Sequence, residues 1–442
     1  MARRPRRFAA LLAIGALVAL PACTKTTSDV GSPTTAAPPA TEGTTVAPDT
    51  ATTRTPATRT PSTRTPSTRR STTTSAESDT VAGAWTPVDP PAAGAYDQLV
   101  SAQCNGPDSC SVDGIRADQS NVLTDYLVHW DGSTWSSSNG PSGSASAPPT
   151  PGELDCLDDF CIVPIDNHET TQLAVPEIQQ VQGGKWAGMN SDVVVVRDPL
   201  LLSVSSVSCP SSSFCVAVGY GRNQAATSSA PIVSIWNGEI WKTAALSSET
   251  NMAVQILRSV SCSSTSDCLA VGVANKEVGT PADVALVFHW DGQQWTEVPV
   301  PTSQARTLDA VICSSASFCL AVGGNGNAGA VLRWDGRSLT DEESPLSGPL
   351  YAVGCSSEDL CMAIPSPPSG RPLVSGAEVA ARIKGSWYTV SDYPAKATHL
   401  SGVSCYDGGC LVVGWSRSTP SSDGSDIVGA VPTAAFWDLT SG

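Results

Sequence analysis

Short apolar runs that end or begin at a cysteine recur along most of the chain. In Val207–Gly219, which reads VSCPSSSFCVAVG, one apolar run ends at Cys209 and a second begins at Cys215 after a short polar stretch. The segments VSCSSTSDCLAVG, VICSSASFCLAVG and VGCSSEDLCMAI repeat this pattern farther along. Apolar runs of this length, separated by Ser, Gly and Asp, predict β-strands joined by tight turns.

Seven cysteine pairs of this kind can be aligned, although the first two and the last are less regular copies. Their first members are 52, 53, 53, 51, 42 and 50 residues apart. The predicted pairs are Cys104–Cys110, Cys156–Cys161, Cys209–Cys215, Cys262–Cys268, Cys313–Cys319, Cys355–Cys361 and Cys405–Cys410. A period near 50 residues indicates one supersecondary unit per repeat.

The fourth repeat shows the content of one unit most clearly. Ile256–Cys262 and Cys268–Gly272 predict two strands, and Val284–Trp290 and Gln294–Val300 predict two more around the turn Asp291–Gly292. Asp-Gly between apolar runs is a hairpin signal, because the turn needs a positive φ. Four antiparallel strands, repeated seven times, predict an all-β fold: a seven-bladed β-propeller of four-stranded antiparallel blades.

The two ends of the repeat region predict how the ring closes. The third predicted strand of the last unit ends at Phe436–Asp438, and no fourth strand follows it. Ala84–Pro90 matches the pattern of the fourth strand Gln294–Val300. The N-terminal segment should therefore complete the seventh blade, with Trp85 buried near Phe436.

The chain begins with a segment typical of secretion signals. Four arginines precede an apolar stretch, Phe8–Leu20, which is too short to span a bilayer comfortably. Leu20–Cys23 resembles the lipobox of bacterial lipoproteins. The resemblance implies a lipoprotein signal peptide over residues 1–22, cleavage before Cys23, and a diacylglycerol with fatty acids such as palmitate on that cysteine. The alternative is an ordinary secreted protein with one unpaired cysteine.

Residues 23–82 are rich in Thr, Pro, Ser and Ala, with a Pro every fifth residue around 56–66. Such a composition cannot bury enough apolar surface to fold, so it predicts a disordered linker. The predicted organisation is therefore a signal peptide (1–22), a disordered tether (23–82) and a propeller (83–442). This arrangement predicts a protein anchored by lipid to the extracytoplasmic face of the cell membrane.

The net charge of the chain limits which classes of molecule can be its partners. The whole chain has a net charge of −16; residues 84–442 carry 25 − 10 = 15 basic and 41 − 5 = 36 acidic residues, a net of −21. Such a domain repels nucleic acid, which we exclude as a partner.

Fifteen cysteines, of which only Cys23 lies outside the pairs, indicate disulfides in an oxidising compartment. Zinc sites need two close pairs that converge, whereas these pairs occur one per repeat, so no metal and no cofactor is predicted.

The repeats of residues 83–442 resemble Asp-box (BNR-type) propellers and, more closely, the cysteine-paired propeller repeats of secreted and lipid-anchored bacterial proteins. Gly132–Trp135 and Gly292–Trp295 keep the Gly-x-x-Trp part of the Asp box, although the Asp lies one residue too close to the Gly. WD-repeat propellers also end a third strand in Trp-Asp, but their Gly-His signature is absent. The resemblance implies the fold and leaves the function open.

No catalytic set emerges from the sequence. Sialidases on this fold use an arginine cluster with a Tyr nucleophile, and Arg116, Arg258, Arg306 and Arg382 do not fall at repeated positions that would converge. The isolated residues His168 and His399 are expected to serve packing. The same is expected of the recurring tryptophans and of two histidines that share one repeat position. These are His129 and His289.

Three functions stay open at this point. The first is a binding or scaffolding module for a protein or glycan of the cell envelope. The second is a glycan-active enzyme, hydrolase or lyase, which would need two carboxylates converging on the central channel; Asp309 and Asp155 are the candidates. The third is a purely structural envelope protein. Any binding surface is expected in the long, dissimilar loops between second and third strands.

Overall fold

The computed structural model describes most of the chain from Gly83 onward. The described residues are 83–94, 96–118, 120, 122–143, 150–158, 160–166, 177–189, 191–192, 201–223, 227–248, 252–276, 283–301, 305–326, 328–344, 346–365, 378–394, 399–417 and 429–439. The predicted signal peptide, Cys23 and the Thr/Pro-rich linker lie outside these ranges. Among the residues described, no helix is long and apolar enough to cross a membrane.

The strands form seven antiparallel units around a ring, in agreement with the predicted propeller. The first strand is β1 (Gly83–Pro87). Blade 1 follows with β2 (Tyr96–Gly106), β3 (Ser109–Ala117), β4 (Leu123–Trp130) and β5 (Trp135–Gly143). Blade 2 comprises β6 (Thr150–Pro151), β7 (Asp155–Leu157), β8 (Phe160–Asp166), β9 (Glu177–Gln182) and β10 (Lys185–Gly188). Blade 3 comprises β11 (Ser191–Asp192), β12 (Leu201–Ser211), β13 (Phe214–Arg222), β14 (Ser229–Trp236) and β15 (Trp241–Ala245).

The remaining blades repeat the four-strand order. Blade 4 has β16 (Val254–Ser264), β17 (Asp267–Asn275), β18 (Val284–Trp290) and β19 (Trp295–Glu297). Blade 5 has β20 (Thr307–Ser315), β21 (Phe318–Gly324), β22 (Gly329–Trp334) and β23 (Leu339–Glu342). Blade 6 has β24 (Leu350–Ser357), β25 (Leu360–Pro365), β26 (Val379–Ile383) and β27 (Ser386–Val390). Blade 7 has β28 (His399–Tyr406), β29 (Gly409–Arg417) and β30 (Ala430–Leu439), with β1 as its fourth strand.

The turn between the third and fourth strands is longer than the predicted two-residue hairpin. In blade 4 the ladder closes at the pair Trp290–Trp295, so Asp291–Gln294 form the loop. The Asp291 carboxylate accepts hydrogen bonds from the backbone N–H groups of Gln293 and Gln294, each at 2.8 Å. The predicted positive φ is present at Gly292, at 89°. The aspartate side chain thus stabilises the turn that the sequence assigned to the Asp-Gly pair.

The cysteines of each predicted pair lie opposite each other between first and second strands and form a disulfide. Cα–Cα separations in the seven disulfides are 3.9 to 4.1 Å. The Trp290 indole N–H donates to the Thr265 carbonyl in the adjacent disulfide turn, at 3.2 Å. The disulfide turns and the Asp-containing turns therefore share one face of the ring, as antiparallel alternation requires. The opposite face carries the loops between second and third strands.

The N-terminal segment closes the ring as predicted. β1 pairs with β30 in blade 7, with Gly83 opposite Leu439. Beyond β1, the Val88 N–H donates to the Ala434 carbonyl at 2.9 Å. The Val88 carbonyl accepts the indole N–H of Trp135 in blade 1, at 2.6 Å. The segment from Gly83 to Val88 therefore joins the last blade to the first.

Trp85 does not occupy the predicted place near Phe436. It lies opposite Trp437, packs edge-on against Tyr393 with ring centroids 4.9 Å apart, and is only half-buried. Phe436 points to the other face of β30 and packs against Trp130 of blade 1, at 6.1 Å between centroids. The prediction was wrong by one residue of register, which in a strand reverses the direction of the side chain.

Neighbouring blades pack through apolar side chains, and near the ring centre they are also joined by hydrogen bonds from backbone N–H groups to polar side chains. In Ser208 and Ser261 the hydroxyl oxygen accepts a backbone N–H from the next blade. Among the described residues, the acceptor and donor of the bonds of this kind, one of which has a carboxylate as acceptor, are Ser404–Cys104 (2.9 Å), Ser101–Leu154 (3.0 Å), Asp155–Cys209 (2.6 Å), Ser206–Val260 (3.1 Å), Ser208–Cys262 (3.0 Å), Ser259–Val311 (3.1 Å) and Ser261–Cys313 (2.9 Å). We call these bonds the serine ladder. The corresponding positions in blades 5 and 6 are Ala310, Ile312, Ala352 and Gly354, whose side chains cannot accept a hydrogen bond.

Candidate functional site

A cavity of about 820 Å³ occupies the centre of the ring. First strands of all seven blades line it, and Tyr220 from the second strand of blade 3 adds to the wall. A cavity of this size is within the range that small-ligand sites occupy. The chemistry of the cavity therefore depends on which first-strand side chains reach it.

Each complete first strand carries a β-bulge four residues before its first cysteine. In β16, for example, Leu257 pairs with Gly272 and Ser259 pairs with Val271, which leaves Arg258 unpaired. The unpaired residues in the other strands are Val100, Ser205, Asp309, Tyr351 and Ser401. All of them line the cavity. A bulge re-aims a side chain locally, so this one repeat position is a ring of cavity-facing residues.

Three consecutive blades present chemically active side chains at the bulge. Arg258 of blade 4 forms an ion pair with Asp309 of blade 5. Burial raises the pKa of Asp309 and the Arg258 charge opposes that rise. Thr307 donates a further hydrogen bond to the same carboxylate, at 3.3 Å.

Tyr351 of blade 6 stands next along the ring, and 45% of its surface is exposed. The pKa of its phenol is raised, mainly because the phenol is partly removed from water in the centre of the propeller and to a smaller extent because of the negative charges of Glu153 and Asp309. The phenol therefore stays protonated at neutral pH and offers a hydrogen-bond donor beside an exposed aromatic face.

Glu153 enters the same cavity from an interruption in blade 2. The first strand of this blade is split into β6 and β7, and Glu153 lies in the gap, where its backbone pairs with Ser206 of blade 3. Its carboxylate accepts the hydroxyl hydrogen of Ser259 in blade 4, with a donor–acceptor distance of 2.7 Å. Burial raises the pKa of Glu153 to about 7. Hydrogen bonds from Ser259 and Ser206 oppose the rise, and the charge of Asp309 adds to it.

The two acids predicted from the sequence both line the cavity but have different roles. Asp309 faces the cavity in the cluster just described. Asp155 also lines the cavity, but its carboxylate accepts the Cys209 N–H and forms part of the serine ladder. Burial raises the pKa of Asp155 to about 6, although hydrogen bonds from Cys209, Cys156 and Ser208 oppose the shift. Asp155 therefore joins blades 2 and 3, and Glu153 is the second acid available to a ligand.

Arg258 does fall at a repeated inner-strand position, the one shared with Asp309 and Tyr351, contrary to the prediction. It is the one arginine in the described cavity lining, so no arginine cluster converges there. The other arginines with described contacts serve the blades. Arg116 pairs with Asp97, and Arg382 forms two hydrogen bonds with Glu342.

The histidines have structural contacts where they are described. His129 bonds to the Ser111 hydroxyl, at 3.1 Å, and His289 to Asp267, at 2.8 Å. His399 stacks on Trp415 with 3.9 Å between ring centroids. His168 lies outside the described residues. Within the described ranges, no group of three or more His, Cys, Asp or Glu side chains could hold a metal ion.

Aligning the repeats on their first cysteine shows that three of these residues share one repeat position, although it does not show that this position faces the cavity. That alignment places Arg258, Asp309 and Tyr351 in one column. Strict alternation along a strand does not identify this column, because the bulge interrupts it. The long loops expected to carry function lie partly outside the described residues, notably over 366–377 and 418–428.

Comparison with known proteins supports the fold. No protein-family model matches the chain, and no curated protein matches it in sequence. The structure of a catalytically inactive virginiamycin B lyase from Staphylococcus aureus with quinupristin is similar, with a TM-score of 0.51 and 8% identity over 81% of this chain and 100% of that one. YCF48 bound to D1 peptide gives 0.47 and 11%, over 81% and 95% of the two chains. Trypanosoma rangeli sialidase gives 0.43 and 9%, over 81% and 59%. All three are β-propellers. The similarity to the lyase, at 8% identity, supports the architecture alone.

Proposed function

We propose that this protein is a lipid-anchored binding module on the extracytoplasmic face of the cell membrane, and that its ligand, a glycan or protein segment of the envelope, binds in the central cavity. One observation carries the proposal. Arg258, Asp309 and Tyr351 occupy the bulges of three consecutive blades and face one cavity, whereas the bulges of blades 1, 3 and 7 hold Val100, Ser205 and Ser401. Concentrating charge and an exposed aromatic ring on one wall suits ligand recognition.

The binding proposal is tested with the full chain purified in detergent. Isothermal titration against soluble cell-wall glycan fragments and secreted peptides should identify a ligand with one site per chain. Tyr351→Ala should then weaken binding about tenfold or more, because exposed aromatic side chains in a cavity carry much of the binding free energy. The matched control is Ser205→Ala, which alters the same repeat position in blade 3. Equal effects of the two substitutions would contradict a site at the cluster.

The lipid anchor rests on the lipobox-like Leu20–Cys23 and on the unpaired status of Cys23 in the predicted disulfide pattern. We predict cleavage before Cys23 and lipid attachment to its sulfur. Cys23→Ser should abolish incorporation of a radiolabelled or clickable fatty acid and leave the protein unprocessed or in the medium. Retention of a processed Cys23→Ser protein in the membrane fraction would contradict the anchor.

A specific observation favours a second candidate, a glycan-active hydrolase or lyase. Glu153 and Asp309 face the same cavity, and the charge of Asp309 contributes to the raised pKa of Glu153, about 7. Such a carboxyl is protonated in part at neutral pH and could act as a general acid beside an ionised partner. Product release from a bound glycan, lost in Asp309→Asn, would favour catalysis; stoichiometric binding without turnover favours the binding module.

A further inference from the structure

We propose that the central cavity recognises its ligand through a positively charged amine, held between the Glu153 carboxylate and the ring of Tyr351. The inference rests on the proposed binding function and adds the chemical class of the ligand. It is drawn from the way in which the charged groups of the cavity wall are already engaged.

The described cavity wall carries more acidic groups than basic groups. The described lining contains three carboxylates, Glu153, Asp155 and Asp309, and one guanidinium, that of Arg258. Arg258 is committed to Asp309 through their ion pair. Asp155 is committed to the backbone N–H of Cys209. Glu153 is therefore the lining carboxylate whose described partners are neither cations nor backbone amides.

The partners of Glu153 are hydroxyl groups. Ser259 donates to it at 2.7 Å, and that same hydroxyl oxygen accepts the N–H of Val311, at 3.1 Å. The serine is thereby fixed in place by blade 5, and it holds the carboxylate toward the cavity. Hydroxyl donors do not neutralise a partly buried carboxylate, so a cation beside it gains more than it would in water.

Tyr351 supplies the second half of the site. Its ring is the large apolar surface that the described cavity wall leaves most exposed, and it lines the same cavity as Glu153 and Asp309. A cation over an aromatic face near a carboxylate gains from both groups. A ligand amine that enters the cavity finds both the ring and the carboxylate on its wall.

The charge of the domain points in the same direction. Residues 84–442 carry a net charge of −21 from 15 basic and 36 acidic residues. A cleft in such a domain attracts cations and repels anions. An anionic ligand would also have to displace Asp309 from Arg258 and lie near Glu153. The ligand is therefore cationic at the end that enters the cluster.

An amine can come from an amino sugar or from a peptide, and two matched pairs of probes distinguish these sources. The first pair is a glucosamine tetramer and its fully N-acetylated counterpart, which share the backbone and differ in charge. The second pair is tetralysine and tetralysine acetylated on all its amines. Each probe is titrated calorimetrically into the full chain in detergent.

At least one unmodified probe should bind. Its acetylated counterpart should bind with at least about tenfold lower affinity, because the partly buried Glu153 carboxylate then has no cation beside it. Glu153→Gln, which keeps the side-chain shape, should weaken the amine probe by a similar factor. Glu358→Gln, an equal charge change on the exposed disulfide turn of blade 6, should leave the affinity unchanged. If Glu153→Gln fails to fold, Tyr351→Phe and Tyr351→Leu replace it: the phenylalanine should retain binding and the leucine should lose it.

Equal binding of an acetylated probe and its amine overturns the amine proposal. If that binding still depends on Tyr351, the cavity remains a binding site and only the ligand class is wrong. If none of the four probes binds, the amine proposal is rejected, and the broader search for glycan and peptide ligands alone decides the binding function.

Discussion

Removing residues 1–92 is expected to destabilise the propeller strongly, whereas removing residues 1–82 should leave it unchanged. The longer deletion takes away β1, the bonds that Val88 forms to Ala434 and Trp135, and the packing of Trp85 on Tyr393. The expected loss is roughly 5 kcal/mol or more, judged from the cost of deleting one large aromatic side chain together with its strand. The unpaired edge of β30 should also promote aggregation.

Thermal unfolding followed by circular dichroism, with light scattering recorded in parallel, measures both effects. Within the full chain, Trp85→Ala should cost about 2 kcal/mol, less than for a fully buried tryptophan, because the side chain is half-buried. Thr86→Ala, on the same strand but exposed, is the matched control. The same Tm for both deletions would show that the ring closes in some other way.

The second large effect concerns Asp113, and it appears as a loss of stability as the pH rises from acidic to neutral values. This carboxyl is 1% exposed, and its Oδ1 accepts hydrogen bonds from the backbone N–H and the hydroxyl of Ser101, both at 2.9 Å. Burial raises the pKa of Asp113 to about 7, from an ordinary value of 3.8, against the opposing hydrogen bonds from Ser101. The folded chain therefore holds this proton more tightly than the unfolded chain.

The stabilisation from the bound proton is complete below about pH 4 and is lost as the pH rises through 7. Asp113 alone is expected to lower the free energy of unfolding by roughly 2–4 kcal/mol over this pH interval. Glu153 and Asp155, whose pKa values are also raised, change stability in the same direction. The Asp291 and Asp335 carboxyls at the turns have lowered pKa values and act only at more acidic pH.

The Tm of the wild-type chain should therefore fall between pH 5 and pH 8. Asp113→Asn should flatten the dependence and be the more stable chain at pH 8. Asp359→Asn, which removes an exposed carboxyl in blade 6, should leave the slope as it is. Parallel curves for wild type and Asp113→Asn would contradict a raised pKa at this residue.

The repeats made the architecture readable from the sequence, because each blade uses the same local signals. The cysteine spacing and the Asp-Gly turns predicted strand number and order, and β18 has the predicted bounds Val284–Trp290. The ring closure followed from the absence of a fourth strand in the last unit. Local pattern could predict these features because neighbouring strands in a blade are neighbours in the chain.

The site could not be predicted in the same way. A bulge changes side-chain direction without a residue type that marks it, so Arg258 could not be assigned to the cavity from alternation. Glu153 lies in the least regular repeat, where the first strand is interrupted. Its contact with Ser259 joins residues 106 positions apart and depends on how the blades are arranged around the ring. Such contacts follow from the assembled fold and not from any single repeat.

The serine ladder also bears on how blades can be exchanged by duplication. Blade 4 donates two backbone N–H groups to serines of blade 3, and its own two serines accept N–H groups from blade 5, so a copy of it would match its own neighbours. Blade 6 would not: a side chain at Gly354 would come within 2.8 Å of the Val403 carbonyl, so the backbones of blades 6 and 7 meet directly there. Recombination between repeats is therefore expected to succeed when blade 3 or 4 is copied, and to require matched changes in the neighbour when blade 6 is.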